Sequence, residues 1–339
     1  MRIICLFTVL VSLILALPAK AAVMLIYHHV ADDTPRVSSV TANELRQHLQ
    51  YFKDNNFQVI GLDVLINQLR NKLPIADNSV VITFDDSFEN NYTTAHPILM
   101  EFGFPYTIFI SPGSIDNRVG PVLSWDQVRK MAADGVLVAN HSMNHEHMTQ
   151  LEPGESMADW HSRIKQNILD AEGRILTETG QSHKWLAYPY GEFNSELEAL
   201  VKALGFIGIG QQSGAIGSST KLSRVPRYPA AGQYADLANL GQKLRTLAFD
   251  ITYYLSADQQ ISDNPPTLRL QLKVEDFLPE QLRCYAGTEV LEPIWLSENT
   301  FEVTASKPVK LARSRYNCTA PSLTKKGYFY WYSQPWLNN

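Results

Sequence analysis

The chain has 339 residues, is 45% hydrophobic and 19% charged, and carries a formal net charge of −5. That length supports a full core, either as one barrel-sized domain with a smaller companion or as two ordinary domains. The mildly acidic balance, with no basic block or basic helix anywhere, excludes nucleic acid and anionic membrane as natural partners.

Arg2, the apolar run Ile3 to Leu17 and the small-x-small stretch Ala19-Lys20-Ala21 read as a secretory signal peptide over residues 1–21. The run is short for a membrane span and a strand-like segment follows at once, so no stable span is expected. Cys5 lies inside the run rather than at the cleavage point, which argues against a lipid-modified terminus. The mature chain then starts near Ala22 and is exported, to the periplasm or outside the cell. Losing Arg2 and Lys20 takes its formal charge from −5 to −7. Two cysteines remain, Cys284 and Cys318. In an exported protein such a pair is most simply a disulfide, and two cysteines alone are too few ligands for zinc.

From Val23 to about Asp250, strand-like and helix-like segments alternate. Val23 to Tyr27, Val80 to Phe84, Tyr106 to Ile110, Val136 to Ala139, Trp185 to Tyr188 and Phe206 to Ile209 are short and apolar. Helices between them carry start signals: Thr41-Ala-Asn-Glu44, Ser124-Trp-Asp-Gln127 and Ser195-Glu-Leu-Glu198 all have the capping-box pattern. Leu45, Leu49 and Phe52 share one face of the first helix, and Gly205 stops the last. This alternation predicts an α/β domain over residues 22–257, most simply a parallel barrel, whose chemistry sits at the C-terminal ends of strands. From 258 to 339 the pattern changes. Leu268, Leu270, Leu272 and Val274 alternate with polar residues, and Phe301 to Thr304, Val309 to Ala312 and Tyr328 to Tyr332 look like further strands. Asn264-Pro265-Pro266 marks the start of a small C-terminal β sandwich stapled by the cysteines. The closing Tyr328-Phe-Tyr-Trp-Tyr-Ser-Gln-Pro-Trp336 is read as packing rather than a sugar-stacking platform.

Chemistry concentrates at three strand ends. The buried-strand run Val80 to Phe84 ends in Asp85 and Asp86. Two histidines four apart, His141 and His145, follow another strand, and Pro189-Tyr190-Gly191 follows a third. Two histidines and one carboxylate can converge on a metal, leaving the second carboxylate beside it as a base. Singly each has a bland reading: acidic pairs cap helices, and His-x-x-x-His is usually a surface helix face. Their combination in one α/β chain favours a metal-assisted hydrolase.

Thr83-Phe-Asp-Asp86, His141-Ser-Met-Asn-His-Glu-His-Met-Thr-Gln-Leu151 and Ala187-Tyr-Pro-Tyr-Gly191 resemble the first three motifs of the polysaccharide deacetylases, carbohydrate esterase family 4. The resemblance covers roughly residues 23 to 230. It implies a distorted parallel (β/α) barrel that removes acetyl groups from N-acetylated sugars with a divalent metal, usually zinc. Carried over by position, Asp85 matches the general base, Asp86, His141 and His145 the metal ligands, and the backbone N–H of Tyr190 the oxyanion donor. Pro189 belongs to the same turn.

Two positions depart from that pattern. The arginine that orients the base stands two residues before the motif proline in the family, and here that position is Ala187. Arg224 or Arg227, in Ser223-Arg-Val-Pro-Arg-Tyr228, is the candidate replacement. The late Leu-x-His that supplies the general acid is absent, since no histidine follows His183. Tyr27-His28-His29-Val30 resembles the opening motif of exported poly-N-acetylglucosamine deacetylases of bacterial biofilms, where an early histidine takes that role. His28 matches it, with His29 as the alternative and Asp32 or Asp126 as carboxylate partner. His147 is expected outside the ligand set.

A two-histidine, one-carboxylate set also serves non-heme iron oxygenases, but those favour all-β jelly rolls. A sugar-binding protein on this fold would have no use for a free base beside a metal. The substrate expected is an N-acetylglucosamine polymer or oligomer, best poly-β-1,6-N-acetylglucosamine, with chitin oligosaccharide or peptidoglycan as alternatives.

Overall fold

The computed structural model describes residues 21–76, 78–256, 258, 260–261, 263–309 and 313–337. The expected signal peptide falls almost wholly outside them, as does most of the strand expected over Val309 to Ala312.

Parallel strands form the main sheet in the order Tyr228–Pro229, Ala22–Tyr27, Ser79–Phe84, Thr107–Ile110, Leu137–Asn140, Trp185–Ala187 and Ile207–Ile209. Gln58–Val59 adds a short parallel pairing beside Ser79–Phe84. The sheet curls until Ile209 bridges Val225, just ahead of Tyr228. This is the distorted parallel (β/α) barrel that the alternation implies, and the six expected strands fall within one residue of their observed ends. Tyr228–Pro229 was not foreseen; two residues ending in proline carry no strand pattern.

Both long central strands are buried along their whole length, as parallel strands covered on two faces should be. Alternation sorts their side chains. Val23, Leu25, Tyr27, Val80, Ile82 and Phe84 pack outward against Leu45, Leu49 and Phe52 of the helix Ala42–Asp54. Met24 and Val81 point the other way and join Phe109, Ala139, Ala187 and Ile209 in a second cluster inside the barrel. Capping boxes form at Thr41 with Glu44 and at Ser124 with Gln127. The third expected box is corrected. Asn194, not Ser195, caps the helix Ser195–Ala203 by accepting the Leu197 N–H. Ser195 instead bonds Asp258.

The C-terminal part is all β. One sheet runs Thr246–Leu247, Phe329–Leu337, Arg313–Pro321, Arg283–Ala286 and Glu289–Leu291; the other runs Ile251–Ser256, Thr267–Leu272, Thr300–Thr304 and Ile294–Trp295. Leu268, Leu270, Leu272, Phe301 and Val303 of the second meet Tyr316, Ala320, Tyr330 and Trp336 of the first in one core. Cys284 and Cys318 face each other across adjacent antiparallel strands and are disulfide-bonded. Thr246–Leu247 and Ile251–Ser256 already pair within these sheets, so β pairing begins ahead of the boundary expected at 257/258. No turn signal separates those strands from the α/β pattern before them. The closing rings do pack: Tyr330 and Trp336 lie in the sandwich core, and Trp331 meets Tyr228 of the barrel edge-on at 5.8 Å.

Candidate metal centre

Strand alternation sends Val81, Thr83 and Asp85 to the barrel interior, and Asp85 is fully buried there. Alternation alone would turn Asp86 away. Instead Asp86 and Ser87 take left-handed backbone angles, φ 75° and 60°, which few non-glycine residues adopt. The turn keeps both carboxylates at one place. His141 Nε2 is 3.1 Å from Asp86 Oδ1 and 4.0 Å from Asp85 Oδ2.

His141 directly follows the strand Leu137–Asn140 and is fully buried. Its Nδ1 donates to the Ala187 carbonyl at 2.8 Å, and Ser111 Oγ donates to its own carbonyl at 2.9 Å. Asn140 anchors the strand end, donating to the Ile168 carbonyl and the Glu172 carboxylate while accepting the Ser142 N–H. The four-residue spacing to His145 is not a helical turn. Ser142 and His145 adopt φ 64° and 53°, and the His145 N–H closes the turn on Ser142 Oγ. His145 Nε2 reaches Asp86 Oδ1 at 3.1 Å. Five of the ten left-handed non-glycine residues described (Asp86, Ser87, Ser142, His145 and Tyr190) stand at this site. Such conformations persist only where their surroundings enforce them, and they cluster at functional sites.

His28 begins at the end of Ala22–Tyr27, with Nε2 4.0 Å from Asp86 Oδ2. Desolvation lowers its pKa, against the upward pull of Asp86 and Asp85. Its carboxylate neighbours are therefore those two, a correction to the expected Asp32 or Asp126. Asp126 pairs with Arg129, and Asp32 is exposed. His29 turns elsewhere, stacking on Phe88 at 3.6 Å and accepting from the Asn90 amide at 3.1 Å.

The turn Pro189–Gly191 follows the strand Trp185–Ala187, with Pro189 buried and Tyr190 at φ 59°. The Tyr190 ring meets His145 edge-on at 4.5 Å and stacks on His147 at 4.0 Å. His147 Nδ1 lies 2.8 Å from Glu192 Oε2. His147 is thus outside the ligand set but braces the turn, a role no sequence signal announced. Gly191 is required twice over: its φ is 71°, and a Cβ there would lie 2.6 Å from Gln211 Cβ.

Of the two candidate arginines, Arg227 reaches the site. Its Nη1 and Nη2 each donate to one Asp85 oxygen at 2.7 Å. Its Nε donates to the Gly210 carbonyl and Nη1 also to Thr83 Oγ1. Both partners are fully buried. Burial works against the Asp85 charge, but Arg227 and then His141 outweigh it and hold the carboxyl below its usual range. Arg224 points instead to the seam with the β domain, 3.4 Å from Glu198 Oε1 and 5.0 Å from the Tyr254 ring.

The donor set suits a divalent metal. One ligand atom each from Asp86, His141 and His145 lies within 4.8 Å of the others. With His141 Nδ1 donating to the Ala187 carbonyl, Nε2 is the ring atom turned to the Asp86 carboxylate. A backbone carbonyl that fixes the ring in this way is the usual support of a metal-binding histidine. In the ion-free geometry the two histidines hold Asp86 far below its usual pKa despite its burial.

Residues 72–209 match the family model described as polysaccharide deacetylase. The chain is 22% identical over 336 residues to the poly-beta-1,6-N-acetyl-D-glucosamine N-deacetylase of Escherichia coli (strain K12), covering 85% of this chain and 50% of that protein. To the enzyme of the same name in Staphylococcus aureus (strain MRSA252) it is 24% identical over 172 residues, 49% of this chain and 59% of the relative. It therefore spans only half to three-fifths of these two relatives. A Streptococcus pyogenes deacetylase solved with acetate superposes with a TM-score of 0.60 at 21% identity, over 67% of this chain and 99% of that one. At that identity the superposition speaks for the fold.

Proposed function

From the premise that this chain carries a polysaccharide deacetylase domain, we propose that it is an exported, metal-dependent N-deacetylase of N-acetylglucosamine polymers, with poly-β-1,6-N-acetylglucosamine as preferred substrate. The observation that carries the reading is a division of labour between adjacent carboxylates. Asp86 belongs to the His141–His145 donor set, while Asp85 is held out of it by Arg227. A binding protein needs the first carboxylate and has no use for the second. The substrate preference rests on the names of the relatives and on the early His28, which stands where their resemblance places an acid.

A divalent ion, zinc by the chemistry of two imidazoles and one carboxylate, would polarise the acetamide carbonyl and acidify the attacking water. The chain's own groups do the rest. Asp85 takes the proton of the water as it attacks, its charge maintained by the two Arg227 hydrogen bonds. The Tyr190 backbone N–H donates to the oxygen that gains charge at the acetyl carbon. His28, on the other side of Asp86, delivers a proton to the nitrogen as the C–N bond breaks, releasing acetate and a free amine.

The test is acetate release by the zinc-loaded protein from β-1,6- and β-1,4-linked N-acetylglucosamine oligomers, with Asp85→Asn in parallel. Release from the β-1,6 series, lost in the variant, is expected. Release confined to the β-1,4 series would keep the chemistry and move the substrate to chitin or peptidoglycan fragments. No release from either would remove N-acetylglucosamine oligomers as substrates and make another acetylated substrate, or a binding role, the leading reading.

A further inference from the structure

The β domain does not merely sit beside the barrel. A cleft of about 270 Å³ is lined on one side by Tyr190, Gly191, Gln211 and Gln212, which follow the barrel strands Trp185–Ala187 and Ile207–Ile209. Its other side is Ser314, Arg315 and Pro335 of the β domain. Arg315 and Pro335 are register partners on the antiparallel strands Arg313–Pro321 and Phe329–Leu337, so a single strand pair supplies that wall. The cleft shares Tyr190 with the metal centre, since the same ring lies against His145. Drug-sized ligands occupy pockets of roughly 300–1,000 Å³. A cleft just below that range holds one sugar ring rather than a length of chain.

One feature of the wall points to a ligand's chemistry. Arg315 is exposed, and among the described residues no carboxylate pairs with it. Strand alternation puts its side chain on the face opposite the buried Tyr316 and Cys318, so it is the guanidinium, not the sandwich core, that the wall offers. The cleft thus holds a free cation on the side facing Tyr190, the residue whose N–H the proposed mechanism assigns to the reacting carbonyl.

Resting on the deacetylase reading, we propose that this cleft is a subsite for the sugar next to the one being cleaved, and that Arg315 makes it select an N-acetylated neighbour over a de-N-acetylated one. An acetamido group is neutral and gives the guanidinium a carbonyl to bond. A glucosamine unit carries an ammonium group, which like charge repels by a few-fold in affinity across a solvated cleft. The β domain would thereby keep the enzyme from acting next to a unit it has already processed. The product is a polymer with spaced amines.

The experiment uses the zinc-loaded full chain, an N-acetylated β-1,6 hexamer and partial conversion, with products sequenced by tandem mass spectrometry. Wild type should give adjacent amines several-fold less often than chance. Arg315→Glu should bring them to chance or above, and Arg315→Ala should fall between. Identical patterns in all three proteins would overturn the proposal. Binding of fully acetylated and fully de-N-acetylated hexamers to Asp85→Asn, measured by calorimetry, separates this from failure of the deacetylase reading. The acetylated chain should bind roughly three- to tenfold tighter, a ratio that Arg315→Glu abolishes or inverts. If wild type releases no acetate, the activity falls and this ratio alone decides the subsite. Equal binding of both hexamers, or binding of neither, removes it.

Discussion

Replacing Arg227 with methionine should be among the most damaging single changes in the barrel. The substitution roughly conserves volume but strands Asp85, which is fully buried and takes both its short hydrogen bonds from that guanidinium. Breaking a buried pair by removing one partner costs about 3–5 kcal/mol, because the remaining charge has no compensation. In a domain of 150–250 residues each kcal/mol moves Tm by about 2–4 °C, so a drop of roughly 6–20 °C is expected in thermal melts at neutral pH. Turnover should fall about 100-fold, since a base displaced by an ångström loses its line on the water. The cycle with Asp85→Asn is informative because the double variant removes both charges, and it should be more stable than the sum of the single losses predicts. The sign of the pH dependence follows from the depressed Asp85 pKa. Its contribution is complete above the carboxylate's unfolded value near 4 and fades as pH falls through the folded one. Arg227→Met should therefore differ most from wild type at neutral pH and approach it in acid. A variant melting within about 2 °C of wild type, together with an additive cycle, would refute the idea that this pair sustains the site.

His28→Ala should lower turnover by about 10²- to 10⁴-fold, the usual range for a general acid, while zinc stoichiometry by atomic absorption stays at one per chain; loss of the metal would make His28 a ligand. Gly191→Ala places a Cβ against Gln211 at φ 71°, so kcat should fall and the melting point drop by a few degrees; an unperturbed variant would show that the turn can shift without consequence. Lys243 donates to the Pro229 carbonyl, but desolvation, aided by Arg315, pushes its pKa down to about 7. Between there and its unfolded value near 10.4 the unfolded chain holds the extra proton, so stability should rise with pH by at most about 1.4 kcal/mol per unit. Urea unfolding of Lys243→Met should lack that slope, and an unchanged slope would assign it to other groups.

Three of the four residues central to the site were readable because they directly follow strands whose apolar run is unmistakable, and the fourth, His145, from its spacing to His141. Val80 to Phe84 and Val136 to Ala139 announce Asp85, Asp86 and His141 by where they stop. Backbone conformation was not readable. Nothing in Asp86, Ser87, Ser142 or His145 as residue types demands positive φ, yet without those turns alternation would scatter the ligands. The choice between Arg224 and Arg227 was equally closed to sequence, because both lie within one short segment and only packing decides which enters the barrel. Ser195 misled for a related reason: Asn194 caps as well, and the interface with Asp258 occupies the serine. The edges of the β domain were poorly legible because strands such as Thr246–Leu247 and Ile294–Trp295 are two residues long.

Sheet order explains how this chain can lack two residues at their expected sequence positions and still assemble the geometry. Ala22–Tyr27 lies between Ser79–Phe84 on one side and Tyr228–Pro229 on the other. Two neighbouring strands therefore deliver His28 and the Asp85–Asp86 pair at their C-terminal ends. The long Arg227 side chain reaches them from just ahead of the third, though 199 positions separate His28 from Arg227. A side chain at a strand's C-terminal edge acts on whatever lies in the adjacent strand, and chain order does not enter. The guanidinium absent at Ala187 can come from the strand on the other side of the barrel seam. The imidazole absent from the late chain can come from the first strand. What the site requires is a cation against Asp85 and a proton donor beyond Asp86. The Arg227→Met and His28→Ala variants test those two requirements separately, because of the two carboxylates Arg227 bonds Asp85, while His28 stands beside Asp86, its Nε2 4.0 Å from Asp86 Oδ2. Loss of stability with the first and loss of turnover alone with the second is the pattern that independent sources for the two roles demand.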